Sequence, residues 1–180
     1  MALLAGCPSD GDDGNDPAQL AGEWSAVGDE DISLTLGDDG SYTIVDDNGP
    51  ETGTFSADAT TLTITGPTSV TQVGYAVRGD SLLLNALSPV GSADGLVAKW
   101  HGEVTQGADE QTIDLDLKAD HTLVLDIDST EDGPLHATGT WVETGDELIT
   151  TLDVQGTSVD ISFHTLDDIA IGNPLFERVQ

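Results

Sequence analysis

Ile32-Ser33-Leu34-Thr35-Leu36-Gly37-Asp38-Asp39-Gly40-Ser41-Tyr42 aligns without a gap on Ile113-Asp114-Leu115-Asp116-Leu117-Lys118-Ala119-Asp120-His121-Thr122-Leu123. In each stretch apolar and polar residues alternate, which places all the apolar side chains on one face of an extended strand. A turn cluster then interrupts the alternation. The pattern is that of an antiparallel hairpin with one face buried and one wet, and it occurs twice in the chain.

Working outward, Thr61-Leu62-Thr63-Ile64-Thr65 and Val159-Asp160-Ile161-Ser162-Phe163-His164 follow the same period of two, while helical periodicity is nearly absent. Turn clusters separate the runs: Asp46-Asp47-Asn48-Gly49-Pro50, Arg78-Gly79-Asp80 and Thr144-Gly145-Asp146. The 21 threonines suit the solvated face of a sheet, being β-branched with one hydroxyl. The expected fold is all-β.

The repeat extends beyond the opening hairpin. Thr52-Gly53-Thr54-Phe55 matches Thr138-Gly139-Thr140-Trp141, Leu62 falls opposite Leu148, Tyr75 and Val77 fall opposite Ile161 and Phe163, and Trp24 heads the first copy as Trp100 heads the second. This order predicts a tandem duplication of about seven short strands each. The expected units are 21–88 and 97–180, joined by a glycine- and serine-containing segment, 88–95.

Composition removes several classes of function. The 180 residues include 34 Asp or Glu and 4 Lys or Arg, a formal charge of −30. Nucleic-acid binding draws on Lys and Arg neutralising phosphates, and four scattered cations cannot form such a surface; anionic lipid headgroups are excluded for the same reason. Asp outnumbers Glu 25 to 9, a bias like that of proteins exposed to high salt, where self-repulsion is screened, and equally that of an ordinary extracellular protein kept soluble by its charge. No run of 18 apolar residues exists to span a bilayer as a helix.

Cys7 is the single cysteine, so no internal disulfide forms. Leu4-Ala5-Gly6-Cys7 matches a bacterial lipobox, in which small residues admit a signal peptidase and the thiol receives a diacylglyceryl group. A polar stretch, Pro8 to Pro17, follows at once. Residues 1–6 are therefore expected to be the remnant of a lipoprotein signal, with its basic and apolar parts upstream, and residues 7–20 an acidic flexible tether.

Gly22-Glu23-Trp24 opening a run of meander strands, then an aspartate-glycine turn, then a Gly-Thr-aromatic strand, resembles the lipocalin-like repeats of bacterial lipoproteins. These are small up-and-down barrels or half-barrels behind a lipidated cysteine. The resemblance covers 21–180 in two copies; in the second, Ala98-Lys99-Trp100 replaces the glycine and only the Trp carries over. It implies a lipid-anchored, exported envelope protein without catalytic chemistry, and leaves the ligand open.

Chemistry-bearing residues are sparse. There is no Gly-x-Ser-x-Gly elbow, and His101, His121, His136 and His164 show no metal-ligand spacing. Paired carboxylates, Asp114 with Asp116 and Asp126 with Asp128, lie two apart on one strand face, an arrangement that chance supplies readily among so many acids. Asp128-Ser129-Thr130-Glu131-Asp132-Gly133 resembles the front of a calcium loop, making Asp126, Asp128 and Asp132 a weak calcium candidate, but its twelfth position is Gly139 and not a bidentate Glu. No other cofactor is expected.

Trp24, Trp100, Trp141 and Phe55 are expected to pack the unit cores, with a ligand-stacking platform as the alternative, and Arg78 and Arg178 to lie over Trp faces. The resulting expectation is a membrane-anchored surface or periplasmic lipoprotein acting as a non-catalytic binding module for a neutral or cationic ligand or protein. Its rivals are a purely structural envelope scaffold with filled cores and an acidic-pair hydrolase. The mid-sized apolar positions favour filled units that meet a partner on an open face or at the seam.

Overall fold

The computed structural model describes residues 16–29, 31–167 and 169–180, and they form an all-β barrel protein. Cys7 and the expected lipobox lie outside the described residues. After a 3-10 turn at Pro17–Gln19 come β1 (Gly22–Ala26), β2 (Ser33–Leu36), β3 (Ser41–Asp46), β4 (Gly49–Ala57), β5 (Thr61–Thr65), β6 (Val70–Arg78) and β7 (Ser81–Leu84). The short β8 (Ser88–Pro89) leads into β9 (Lys99–Gln106), β10 (Asp109–Leu117), β11 (Thr122–Ser129), β12 (Gly133–Thr144), β13 (Glu147–Val154), β14 (Thr157–Leu166), β15 (Ala170–Gly172) and β16 (Leu175–Arg178).

Strands β1 to β7 meander antiparallel, and β16 inserts between β1 and β7, closing an eight-stranded barrel. Strands β9 to β15 meander likewise. Here the gap is spanned by β8 on β9 and by a one-pair bridge between Leu87 and Ile171, with reciprocal bonds of 2.7 and 3.1 Å. The closing strands are thus exchanged. β16 follows the second meander but completes the first ring, and β8 follows the first meander but completes the second.

These boundaries differ from those expected along the sequence. The segment 88–95 begins as a strand, and the last strand of 97–180 belongs to the other ring. Residues 16–20, expected to belong to the tether, instead pack on the first barrel: Asp16 caps the 3-10 turn and Leu20 is completely buried in the first core. An apolar leucine just before β1 gains more by filling the barrel end than by remaining in water.

Each barrel encloses its own core. Trp24, Leu34, Leu36, Leu62 and Phe176 fill the first, and Trp100, Leu115, Leu117, Leu123 and Leu148 the second. A third cluster, Ala76, Leu83, Ala86, Leu166, Ala170 and Leu175, packs between them where the closing strands cross. The barrels are also hydrogen-bonded to each other, since β6 pairs with β9 from Thr71–Gln106 to Val73–Val104.

The same local bonds recur in both copies. Trp24 Nε1 donates to Leu20 O (2.9 Å) and Trp100 Nε1 to Leu96 O (3.0 Å). Asp39 Oδ1 accepts from Ser41 N and Oγ, and Asp120 Oδ1 from Thr122 N and Oγ1. Gly40 (φ 79°) and His121 (φ 63°) occupy the same left-handed turn position, and their carbonyls accept from Phe55 N and Trp141 N. A Cβ on Gly53 would lie 2.1 Å from Thr65 O, and one on Gly139 2.1 Å from Thr151 O, so the Gly-Thr-aromatic motif marks a strand crossing its neighbour too closely for a side chain.

The alignment shifts near its end. Leu62 pairs with Val73 and its counterpart Leu148 pairs with Phe163, so Phe163 corresponds to Val73 and not to Val77. The cause is hairpin length: β13 and β14 are joined by a two-residue turn and pair over eight positions, whereas β5 and β6 pair over five.

Candidate functional site

Both barrel interiors are occupied. Trp24 and Trp100 are fully buried and Trp141 nearly so, each indole N–H bonded to a backbone carbonyl, while Phe55 is half-buried against the first core. They are core residues in these positions. Arg178 lies over the Trp24 ring, 4.2 Å from its centroid, and donates to Ala21 O and Gln19 O, pinning the 3-10 turn onto the barrel. Arg78 does not reach a Trp; it pairs with Asp167 at 3.0 Å, because it sits at the far end of the β6–β7 hairpin. The ring that meets Trp141 is His121, at 4.8 Å.

With the interiors filled, the outer faces hold the polar chemistry. In the registers of β9 to β12, His101, Asp114, Asp126 and His136 are successive cross-strand partners. They form one row on the outside of the second barrel. His101 Nδ1 lies 2.9 Å from Asp114 Oδ1, and His136 Nδ1 bonds Asp126 Oδ1. Two carboxylates directly opposite each other repel, and an imidazole at each end of the row is hydrogen-bonded to one of them. Beside the row runs a half-open groove of about 390 Å³ whose charged lining is Lys99, Asp114, Asp116 and Asp126.

The carboxylates that meet are therefore Asp114 and Asp126 across strands, not the pairs two apart within a strand. The signal was available: placing the turn at Lys118–His121 sets Leu117 opposite Leu123, and counting back sets Asp114 opposite Asp126. Asp114 and Asp126 remain more than half exposed, at 59% and 56%.

Of the three calcium candidates, Asp126 and Asp128 line one groove, and Asp132 is not among its lining residues. Asp126 is engaged by His136, Asp128 stands opposite Thr112 and Pro134, and Asp132 lies beyond β11, its N–H bonded to Ser129 Oγ. The turn is instead organised by Asp109. The Gln111 amide first, then Ser129 Oγ, the Glu131 N–H and Thr130 Oγ1, hold its carboxyl below the ordinary aspartate range. Among the described residues no three His, Cys, Asp or Glu are grouped to hold a metal ion.

Burial raises two tyrosines. Tyr42 is pushed up to about 12 by desolvation and by its 2.6 Å bond to Glu51, and Tyr75 to about 12 by desolvation and the nearby charge of Asp58. Both belong to the first barrel's core. The fold and its faces define an all-β protein with two antiparallel barrels, filled interiors and an acidic exterior. No protein-family model, no curated protein and no solved structure matches the chain.

Proposed function

We propose that this protein is a lipid-anchored, exported envelope protein that acts as a non-catalytic interaction module, recognising neutral or cationic partners on its outer faces. The observation that carries the reading is the filling of both barrels around Trp24 and Trp100, each completely buried, which leaves recognition to the exterior. That exterior belongs to a chain of net charge −30, so it attracts cations and repels anions. The half-open acidic groove on the second barrel favours an interaction role over a purely structural scaffold with the same filled cores.

Anchoring rests on Leu4-Ala5-Gly6-Cys7. Two or three acyl chains, at about 0.8 kcal/mol per buried methylene, hold a protein stably to a bilayer. Expressed behind a lipoprotein signal peptide, the wild type is expected in the membrane fraction, and Cys7→Ser in the soluble fraction. A soluble wild type would sink the anchoring.

A further inference from the structure

The correspondence between the two barrels exposes one unfilled position. Since Val73 and Phe163 are counterparts, Thr71–Val73 of β6 corresponds to 161–163 of β14. On β6 this stretch has a strand on each side, β5 on one and β9 on the other. β14 pairs with β13 from Thr157 to His164, but with β15 only from His164 to Leu166. Among the described residues, nothing pairs with the outer edge of β14 over 157–163.

The backbone there is set up to receive a strand. A two-residue turn makes Val154 and Thr157 a hydrogen-bonded pair, and alternation then turns the N–H and C=O groups of Ser158, Asp160 and Ser162 away from β13. The same parity operates on β6, where Val70 O, the counterpart of Asp160 O, accepts from Gly107 N at 2.9 Å just beyond β9. Beside the edge, an apolar cleft of about 270 Å³ opens between Phe163 on β14 and Val104 on β9, lined also by Leu87 and Ile113.

We propose that the outer edge of β14 over 157–163 is a strand-addition site, taking an extended segment of a partner protein in which β-branched apolar residues alternate with Lys or Arg. The assignment rests on the interaction reading above and gives it a location. A strand is the occupant because a strand fills the counterpart edge on β6. Its inward side chains are apolar because the cleft is apolar; the others are cationic because Asp160 lies on the edge and Asp153 faces Ser158 beside it. A second copy is disfavoured: antiparallel edge-to-edge pairing centred on Asp160 sets one Asp160 against the other, in two chains of charge −30. Nor can β1 of another copy take the place of β9, for it ends at Ala26 while β9 runs on from Trp100 to Gln106.

The test uses the full chain and a synthetic peptide, Lys-Val-Lys-Val-Thr-Val-Lys, at low ionic strength, read by residue-resolved amide exchange. In the free chain the amides of Ser158, Asp160 and Ser162 should exchange faster than those of Val159 and Ile161, and saturating peptide should slow the first three by about tenfold or more. The same peptide N-methylated on alternate residues should give no protection. Ser162→Pro removes a donor outside the β13 ladder, so the folded spectrum should persist while peptide affinity falls by about tenfold. The N-methylated peptide needs no variant, so misfolding of the proline form leaves the test intact. Equal binding of the N-methylated peptide, no binding of the parent peptide, or protection confined to the β10–β11 face would overturn the site. Protection already present in the free chain together with a dimer mass would assign the edge to a second copy and overturn the partner. The Cys7→Ser fractionation reads the broader proposal independently, so the two can fail separately.

Discussion

In the first barrel, β16 pairs with β1 over Trp24–Arg178 to Ala26–Phe176 and with β7 over Leu175–Leu83 to Glu177–Ser81. In the second, the same place is held by Ser88 and Pro89 on β9 and by one bridge from Leu87 to Ile171. The partner of Trp24 is Arg178, whose guanidinium covers the indole, whereas the partner of Trp100 is Pro89, which has neither charge nor N–H to offer. Duplicated meanders therefore close differently. A full closing strand seals one barrel and β9 covers the rest of its β6 edge, whereas in the other the closing strand is short and, among the described residues, nothing covers β14 over 157–163, beside the apolar cleft.

Removing 175–180 should have the largest effect. Though it belongs to the second half of the chain, this segment carries Phe176, completely buried in the first core, and both ladders of the closing strand. Amides of β1 and β7 should lose exchange protection while those of β10 to β13 keep it. If β10 to β13 open first, the exchanged closure is wrong.

Trp24→Ala and Trp100→Ala compare the two cores directly. Each should cost about 3 to 5 kcal/mol in denaturant unfolding. Trp24 should cost more by about 0.5 to 2 kcal/mol, because its removal also ends the cation-π contact with Arg178. Equal costs would mean that the guanidinium adds nothing beyond its bonds to Ala21 and Gln19.

Where the barrels are alike, the effects should match. Gly53→Ala and Gly139→Ala each press a Cβ onto a neighbouring carbonyl oxygen at 2.1 Å, and each should cost about 1 to 3 kcal/mol. Thermal unfolding of the two variants side by side checks this, and a large difference would show that one crossing can relax.

The smallest effect concerns the turns. Bonds from the Ser41 and Thr122 hydroxyls first, and from their N–H groups next, hold the Asp39 and Asp120 carboxyls below the ordinary range. A carboxyl lowered by folding contributes stability above its unfolded value, about 3.9, and loses it as pH falls through the folded value. Acid also discharges the −30 surface, which acts in the opposite sense. The quantity to measure is therefore the stability difference between wild type and Asp39→Ala or Asp120→Ala at matched pH. It should be present at pH 6 and shrink toward pH 2; a difference that ignores pH would remove the carboxylate charge from the account.

Much of this architecture was legible because it is local. Alternation from Ile32 to Leu36 and from Ile113 to Leu117 fixed which side chains face inward, as side-chain direction in a strand depends only on parity. The turns at Asp39 and Asp120 were legible for the same reason, an aspartate capping the residue two ahead. The Trp positions were legible as core, and Arg178 as a cation for a Trp face, but not which Trp it covers: Arg178 is far from Trp24 along the chain, and no periodicity links them. The His101, Asp114, Asp126 and His136 row needed register, which a turn length sets and a single strand does not reveal.

By itself, then, the sequence determined an all-β chain, its inward and outward faces, its recurring turns and its acidity, each of which follows from neighbours a few residues apart. Tertiary structure alone decided that β16 and β8 cross to close each other's barrels, that β9 covers β6, and that among the described residues the outer edge of β14 over 157–163 is left unpaired. Those choices are made by backbone groups, which are the same in every residue, and by the burial of Phe176 and Leu87 in whichever core lies within reach. Only the folded chain brings those cores within reach.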